Sequence, residues 1–519
     1  MRTRTLHASL LAVALLLTMA GPAAASTVPS DELPLGPPGL AETRTVESLY
    51  PGVTYTRIDR AGVTSDVPGL NETIELFGSS AFAPSVGPWV VHVLEIAADA
   101  GIELRTVLGQ DTVAGKELTA DVAKRTPGAI AAVNAGYFVV ADDAGIPGEP
   151  AGIGVYGGSL HSEATLDRSA LVIDRAAGLP GTLIEIVGSS VTVTVGDTVL
   201  TADGIDRRLG LIRMCGGGGD DFAPLFSSPI PAPPGLGGVG QPRPSAAHDV
   251  TCTDDDELVV LTDRLGELVR AEGDLAVTLD FNGVVTAIGE PGGQTVPTGG
   301  HVLIASGETA DQLSQLTAIG ARMDVATGIT IDGIARTLTG DLDVVNGGPQ
   351  LVRDGVADVR YDEEGFGADH PIPGFAAYYA QTGQPRIMVG VRPDGGLVFV
   401  LVDGRRTDYS NGVSFDEAAA LLVYLGADTG LLLDGGGSAT MTRGDGSYLN
   451  RTSGSPRAVS DSIVLVPIVE PDPTSTMVAA SVTPTTPLPS GTSNAALLLL
   501  IGAAVLPRAR RRRARTATS

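Results

Sequence analysis

The chain has 519 residues, 43% of them hydrophobic, which is enough for a large buried core and excludes a disordered polymer. A formal net charge of −26 argues against nucleic acid as the main partner, because phosphate backbones are held by positive surface. Aromatic residues make up only 4%, while 68 glycines and 35 prolines imply many turns and loops.

In chain order, residues 1–25 read as a signal peptide. Arg2 and Arg4 precede an apolar run, and Ala23-Ala24-Ala25 fits an A-x-A cleavage site before Ser26. The apolar run is too short for a membrane-spanning helix. Export is therefore expected. Residues 26–45 are Pro-rich and predict an extended lead-in to a domain over residues 46–468. The early part of that domain reads as strands plus one helix. Trp89–Ala98 (WVVHVLEIAA) is strand-like, TADVAKRT is a short helix, and Ala129–Phe138 (AIAAVNAGYF) is a buried strand running into a tight turn. SALVIDR, GTLIEIV, SVTVTVG, DELVVLT and GGHVLIASG continue the β pattern. Cys215 and Cys252 are the only cysteines. In an exported chain the pair is expected to form a disulfide at the base of the Gly/Pro-rich loop 215–252.

The C-terminal third is the most regular. Gly395–Arg405 predicts a strand ending at Asp403. Ser414–Gly426 predicts a helix with an S-x-x-E capping box at Ser414 and Glu417 and a glycine stop at Gly426. GLLLDGGG then predicts a second strand ending at Asp434. Strand, helix and strand read as one βαβ unit with adjacent parallel strands, so that Asp403 and Asp434 share the rim at the strands' carboxyl ends, where open sheets bind ligands. The expected fold class is α+β, with mixed β-sheets and few helices.

Beyond the domain, residues 469–494 are a Pro/Thr/Ser-rich linker, and residues 495–519 hold the apolar run AALLLLIGAAVL and an arginine-rich tail. That order resembles a cell-wall sorting signal. LPSGT (Leu488–Thr492) differs from the sortase pattern LPxTG, so sortase-like processing and a plain tail anchor both stay open. Either would hold the protein at the cell surface or in the cell wall.

GLGGVG at Gly235–Gly240 follows no strand and opens no helix, so it is not read as a dinucleotide site. RGD at Arg443–Asp445 reads as a hairpin turn. No zinc, nucleophile-elbow, phosphate-loop or EF-hand spacing occurs. No cofactor is therefore expected, although a carboxylate-held divalent cation stays open. The residues that could carry chemistry stand at strand ends. Asp434 and Asp403 are the candidate catalytic carboxylates. Arg386 and Arg405 suit bidentate phosphate contact. Asn134 and Asn346 could bond a sugar or phosphate, or could simply be turn residues. Gly435, Gly436 and Gly437 would let backbone N–H groups approach an anion.

AAVNAGYF, NGGPQLVRDG, DGRRTDYSNGVSFDEAAALLVYLGA, LLLDGGGSATM and PRAVSDSIVL occur in that order. Together they resemble the phosphodiester glycosidase family, over roughly residues 45–468 and most densely over 129–468. Where the family reads Pro-Arg-Thr, this chain has Pro385-Arg386-Ile387. The resemblance implies hydrolysis of a sugar-1-phosphodiester, with a phosphorylated glycan as substrate. The phosphate monoester that leaves needs charge neutralisation more than protonation, so one carboxylate, Asp434, can suffice beside two arginines. The alternative is a non-catalytic surface protein that binds phosphorylated wall polysaccharide through the same cleft. Oligomeric state is not legible.

Overall fold

The computed structural model describes residues 29, 31–63, 86–142, 145–165, 168–213, 251–360, 363–366 and 379–468, with strand segments at 223–225, 229–230 and 241–242. The expected signal peptide, linker and tail lie outside the described residues. So does Cys215, and the expected Cys215–Cys252 bond is therefore not placed. Strands take up 42% of the structure and helices 11%, so the fold is α+β.

The site is built on an eight-stranded sheet. Its middle runs, side by side, Val53–Arg60, Trp89–Ile96, Leu397–Val402, Arg386–Val391, Thr429–Leu432 and Gln350–Arg353. All six residues of Leu397–Val402 are buried, as a continuous apolar run requires of a strand covered on both faces. On one face lies the helix Phe415–Tyr424, whose Ala418, Leu421 and Leu422 share a core with Val91, Val93, Met388 and Val400. The other face packs on a four-stranded sheet of Met441–Arg443, Ala131–Asn134, Asp461–Pro467 and Ile102–Leu108. There Leu94, Val389, Phe399 and Leu431 meet Leu104, Val133, Met441 and Ile463.

The helix starts as its sequence predicts. The Ser414 hydroxyl accepts from the Glu417 amide, and the Glu417 carboxylate accepts from the Ser414 amide. It stops at Gly426, whose φ of +80° only glycine adopts cheaply. The crossover needs one correction. Leu397–Val402 and Thr429–Leu432 are parallel but not adjacent, because Arg386–Val391 lies between them and pairs antiparallel with both. The short turn Arg392–Gly396 closes a hairpin between Arg386–Val391 and Leu397–Val402, so that hairpin partner holds the place beside Leu397–Val402. The consequence favours a site: the start of the inserted strand, Arg386, comes to the same rim as Asp403 and Asp434.

Two further readings change. Residues 31–40 are part of the packed body: Leu33 and Leu35 are buried in the core, and Arg60 donates to the carbonyls of Leu35 and Pro37. GTLIEIV and SVTVTVG form one 14-residue strand, Thr182–Val195, held in continuous register against Met323–Ile331 through Gly188. Arg443–Asp445 does form a turn, closed by the Gly446 amide on the Arg443 carbonyl. Among the described residues no helix is long and apolar enough to cross a membrane.

Candidate active site

Two sheets end at the same place. From the large sheet come Asp403, Arg386 and Asp434; from the small one come Asn134 at a strand end and Asp461 at a strand start, with Ser462 in register with Asn134. Asp434 ties the two together. Its amide donates to the Ala135 carbonyl at 2.9 Å, and its carbonyl accepts from Asn134 Nδ2 at 2.7 Å. The Leu433 amide donates to the Ile387 carbonyl on the other side.

The Asp434 side chain is 5% exposed. Burial pushes its carboxyl up to about 7; the Ser438 hydroxyl bonded to it and the nearby Arg457 and Arg405 pull the other way, while Asp461 adds to the rise. Asp461 is itself raised to about 6 by burial, despite accepting from the Tyr156 hydroxyl and the Gly136 amide.

The three glycines after Asp434 have separate steric reasons. A Cβ on Gly435 would stand 2.7 Å from the Pro385 carbonyl oxygen. One on Gly436, whose φ is +60°, would meet Arg405 Nη2 at 3.1 Å, and one on Gly437 would meet Arg457 Nη2 at 2.6 Å. The run therefore lets two guanidinium groups lie over the backbone beside a buried carboxylate. The Gly436 amide is spent on the Pro385 carbonyl; the amides of Gly435 and Gly437 have no hydrogen-bond partner among the described residues. Both arginines are exposed. Arg405 is held at a φ of +61° and donates from Nε to Gln384 Oε1 at 2.8 Å; Arg457 Nη1 reaches Ser438 Oγ at 3.3 Å. Arg457 was not singled out from the sequence. Its only signal was its place in PRAVSDSIVL.

Arg386, read from the sequence as a bidentate phosphate contact, lies inside the fold. It is 1% exposed, and its guanidinium centre lies 4.9 Å from the Tyr379 ring and 4.7 Å from the Phe415 ring. It donates to the carbonyls of Val413 and Tyr379. Burial lowers its pKa, and among the described residues no carboxylate forms an ion pair with it. Tyr379 donates to the Tyr137 hydroxyl at 3.2 Å, and Tyr137 donates to the Gly348 carbonyl at 2.7 Å. Both tyrosines are buried near enough to Asp434 to feel its charge.

Asp403 occupies a different setting. Its carboxylate receives His92 Nε2 at 3.1 Å, the Tyr409 hydroxyl at 2.9 Å, and Asn450 Nδ2 and the Arg451 amide at 3.2 Å each. Three of these bonds fall on Oδ2 and one on Oδ1, so both carboxylate oxygens are held. The two asparagines also differ from the expected substrate contacts. Asn134 clamps Asp434 and the Thr440 amide; Asn346 accepts from the Tyr137 amide and donates to the Tyr137 carbonyl. Both are buried, so they support the rim from beneath. Among the described residues no group of three or more His, Cys, Asp or Glu side chains is placed to hold a metal ion.

Residues 274–466 match the phosphodiester glycosidase family model. The matched segment holds Asp434, Arg386, Arg405, Arg457 and Asp461. Asn134 and Tyr137 reach the same rim from outside the matched span. A stretch of 82 residues is 40% identical to the uncharacterized SPbeta prophage-derived protein YomE of Bacillus subtilis, covering 16% of this chain and 12% of that protein's length. A crystal structure of a Burkholderia pseudomallei protein described as exported has a TM-score of 0.68 at 24% identity, covering 85% of this chain and 99% of that one. A hypothetical protein of Synechocystis follows at a TM-score of 0.54 and 20% identity, covering 80% and 62%. These two structures show the fold.

Proposed function

We propose that the protein hydrolyses sugar-1-phosphodiesters, releasing free sugar and a phosphomonoester, and that it does so outside the cell, at the surface or in the wall. The family match supports the reaction class. The observation that carries the assignment to a site is the pairing of one buried, raised carboxylate, Asp434, with two exposed guanidinium groups, Arg405 and Arg457, over a glycine run. The export expectation draws support from the described-as-exported structural relative and the N-terminal sequence.

The chemistry follows from those groups. The phosphodiester anion docks against Arg405 and Arg457 and the unused amides of Gly435 and Gly437. Asp434, ionised, takes a proton from water as the water oxygen bonds to the anomeric carbon, or attacks that carbon itself to form a glycosyl ester that water then hydrolyses to free sugar and the restored carboxylate. The bond from the anomeric carbon to the phosphate oxygen breaks, and its electron pair leaves with the phosphate, where the arginines offset the growing charge. Arg386, buried against two rings and bonded to the carbonyls of Tyr379 and Val413, packs beside Gly435 and braces the turn that carries the rim. Asp403 acts as a scaffold that ties the Tyr409 loop to the Asn450–Arg451 loop.

The test is hydrolysis of a sugar-1-phosphodiester in ¹⁸O-labelled water. Label in the sugar and an unlabelled phosphomonoester support the assignment. Label in the phosphate would mean cleavage at phosphorus and would overturn it. Ile387, the residue that distinguishes this chain from the family's Pro-Arg-Thr, is 0% exposed within the core between the sheets. The missing hydroxyl is thus a packing difference, and it lends little to a purely binding role. Tight binding of a phosphorylated glycan with no turnover at any pH would favour that role.

A further inference from the structure

Arginines in this acidic chain are mostly spent on carboxylates. Arg60 pairs with Glu32 and Glu42, Arg125 with Asp111 and Glu117, Arg207 with Glu163 and Glu257, Arg270 with Asp142 and Glu267, and Arg443 with Glu47. With 60 acidic against 34 basic residues, an arginine that finds no carboxylate stands out. Arg457, Arg406 and Arg451 make no ion pair among the described residues; Arg264, Arg322 and Arg386 make none either, but the first three share the two loops that flank the Asp434 rim.

Arg405 and Arg406 share one loop, and Arg451 and Arg457 the other. Arg457 lies over Gly437 and Arg405 over Gly436. Arg406, the next residue, donates through Nη2 to the Thr452 carbonyl at 3.1 Å, which joins the two loops; its Nε is buried without a hydrogen-bond partner. Arg451, exposed, rests its guanidinium 5.1 Å from the centre of the Tyr409 ring. Arg57 lies 6.0 Å from the same ring but is bonded to Asp59. The exposed Asp408 on this turn pairs with none of these arginines. Tyr409 is in turn fixed by its bond to Asp403. The buried Asp403 network thus has a use: it holds together the two loops that present Arg406 and Arg451.

We infer that Arg406 and Arg451 form a second anion position beside the Asp434 rim, so that the substrate is a glycan chain carrying repeated phosphodiesters rather than a sugar with a single phosphate. This rests on the proposed reaction for the identity of the first anion position. A guanidinium stacked on a ring keeps its edge open for bidentate contact with phosphate, and it gives up less conformational freedom on binding than an unstacked one. Arg451 is the grip of this second position, and Arg406 braces it.

The test is binding first, so that it does not depend on turnover. Wild-type protein and Arg451→Gln are titrated with a single-phosphate sugar-1-phosphodiester and with an oligomer of the same unit bearing three phosphates, at low and high salt. The expected result is that wild type binds the oligomer at least about ten-fold more tightly than the short ligand, that Arg451→Gln loses most of this preference while binding the short ligand as before, and that raised salt narrows the gap. Equal affinity for the two ligands, or a preference unchanged in Arg451→Gln, overturns the inference. Hydrolysis of both ligands without a length preference would leave the reaction standing and remove only the second position. A length preference that depends on Arg451 without any turnover would keep the second position and remove the reaction.

Discussion

Asp403 and Asp434 carry the same local signature: a buried apolar strand, then Asp, then Gly. Yet their surroundings differ completely. Asp403 is saturated by four donors, which spread its charge and fix it in place. Asp434 has the Ser438 hydroxyl, two arginines at the edge and a second raised carboxylate, Asp461, behind it. A saturated buried carboxylate is structural because any reaction would first have to break its bonds. An under-satisfied one keeps basicity available, and it costs stability when ionised.

The sharpest way to break the comparison is to remove the charge at each position. Asp434→Asn is expected to lower turnover on a sugar-1-phosphodiester by at least about 10²-fold while leaving the protein folded, measured by initial rates beside a circular dichroism melt. Near-wild-type turnover would move the role elsewhere. Asp403→Asn is expected to act on stability instead. An amide there turns one acceptor oxygen into a donor facing donors, which costs about 1–3 kcal/mol and lowers the melting temperature by several degrees. Turnover per folded molecule should fall far less than in Asp434→Asn. The reverse ranking would exchange the two roles.

Proton linkage sharpens the contrast further. In the folded chain Asp434 holds its proton up to about pH 7, against a reference value of 3.8. Between those values the native state binds a proton that the unfolded chain does not. Stability from this group is therefore present at low pH, declines as pH rises through that window, and is fully lost above about 7. Asp434→Asn escapes that loss, so its melting temperature should gain on wild type progressively from pH 4 to about pH 7 and level off above it. Turnover should run the opposite way, rising about ten-fold per pH unit below the apparent pKa and levelling near pH 7 to 8. A flat profile across this range would separate Asp434 from the rate.

The smallest effect is expected at the glycine run. In Gly437→Ala the new methyl would crowd Arg457 Nη2, the far end of a flexible side chain that can swing away. The fold should hold, and KM for the phosphodiester should rise about three- to ten-fold as one phosphate contact is lost. Unchanged KM would mean that Arg457 does not touch the substrate.

The sequence by itself determined the elements and the rim. Apolar runs marked the buried strands, Ser414 and Glu417 marked a helix start, and Asp403 and Asp434 were legible as strand-end carboxylates, because these depend on neighbours a few residues away. The partners were not legible. Leu33 and Leu35 look like linker until Arg60 and the core are present. Asn134 and Asn346 look like ligand contacts until the backbone groups they clamp come from residues 300 and 209 positions away. Insertion of the Arg386 strand between two parallel strands, the approach of Arg457 to Gly437 and the saturation of Asp403 by His92 were all decided by tertiary structure. The physical reason is that a carboxylate's role depends on how much water and how many donors reach it, and both are set by chain segments far apart in sequence.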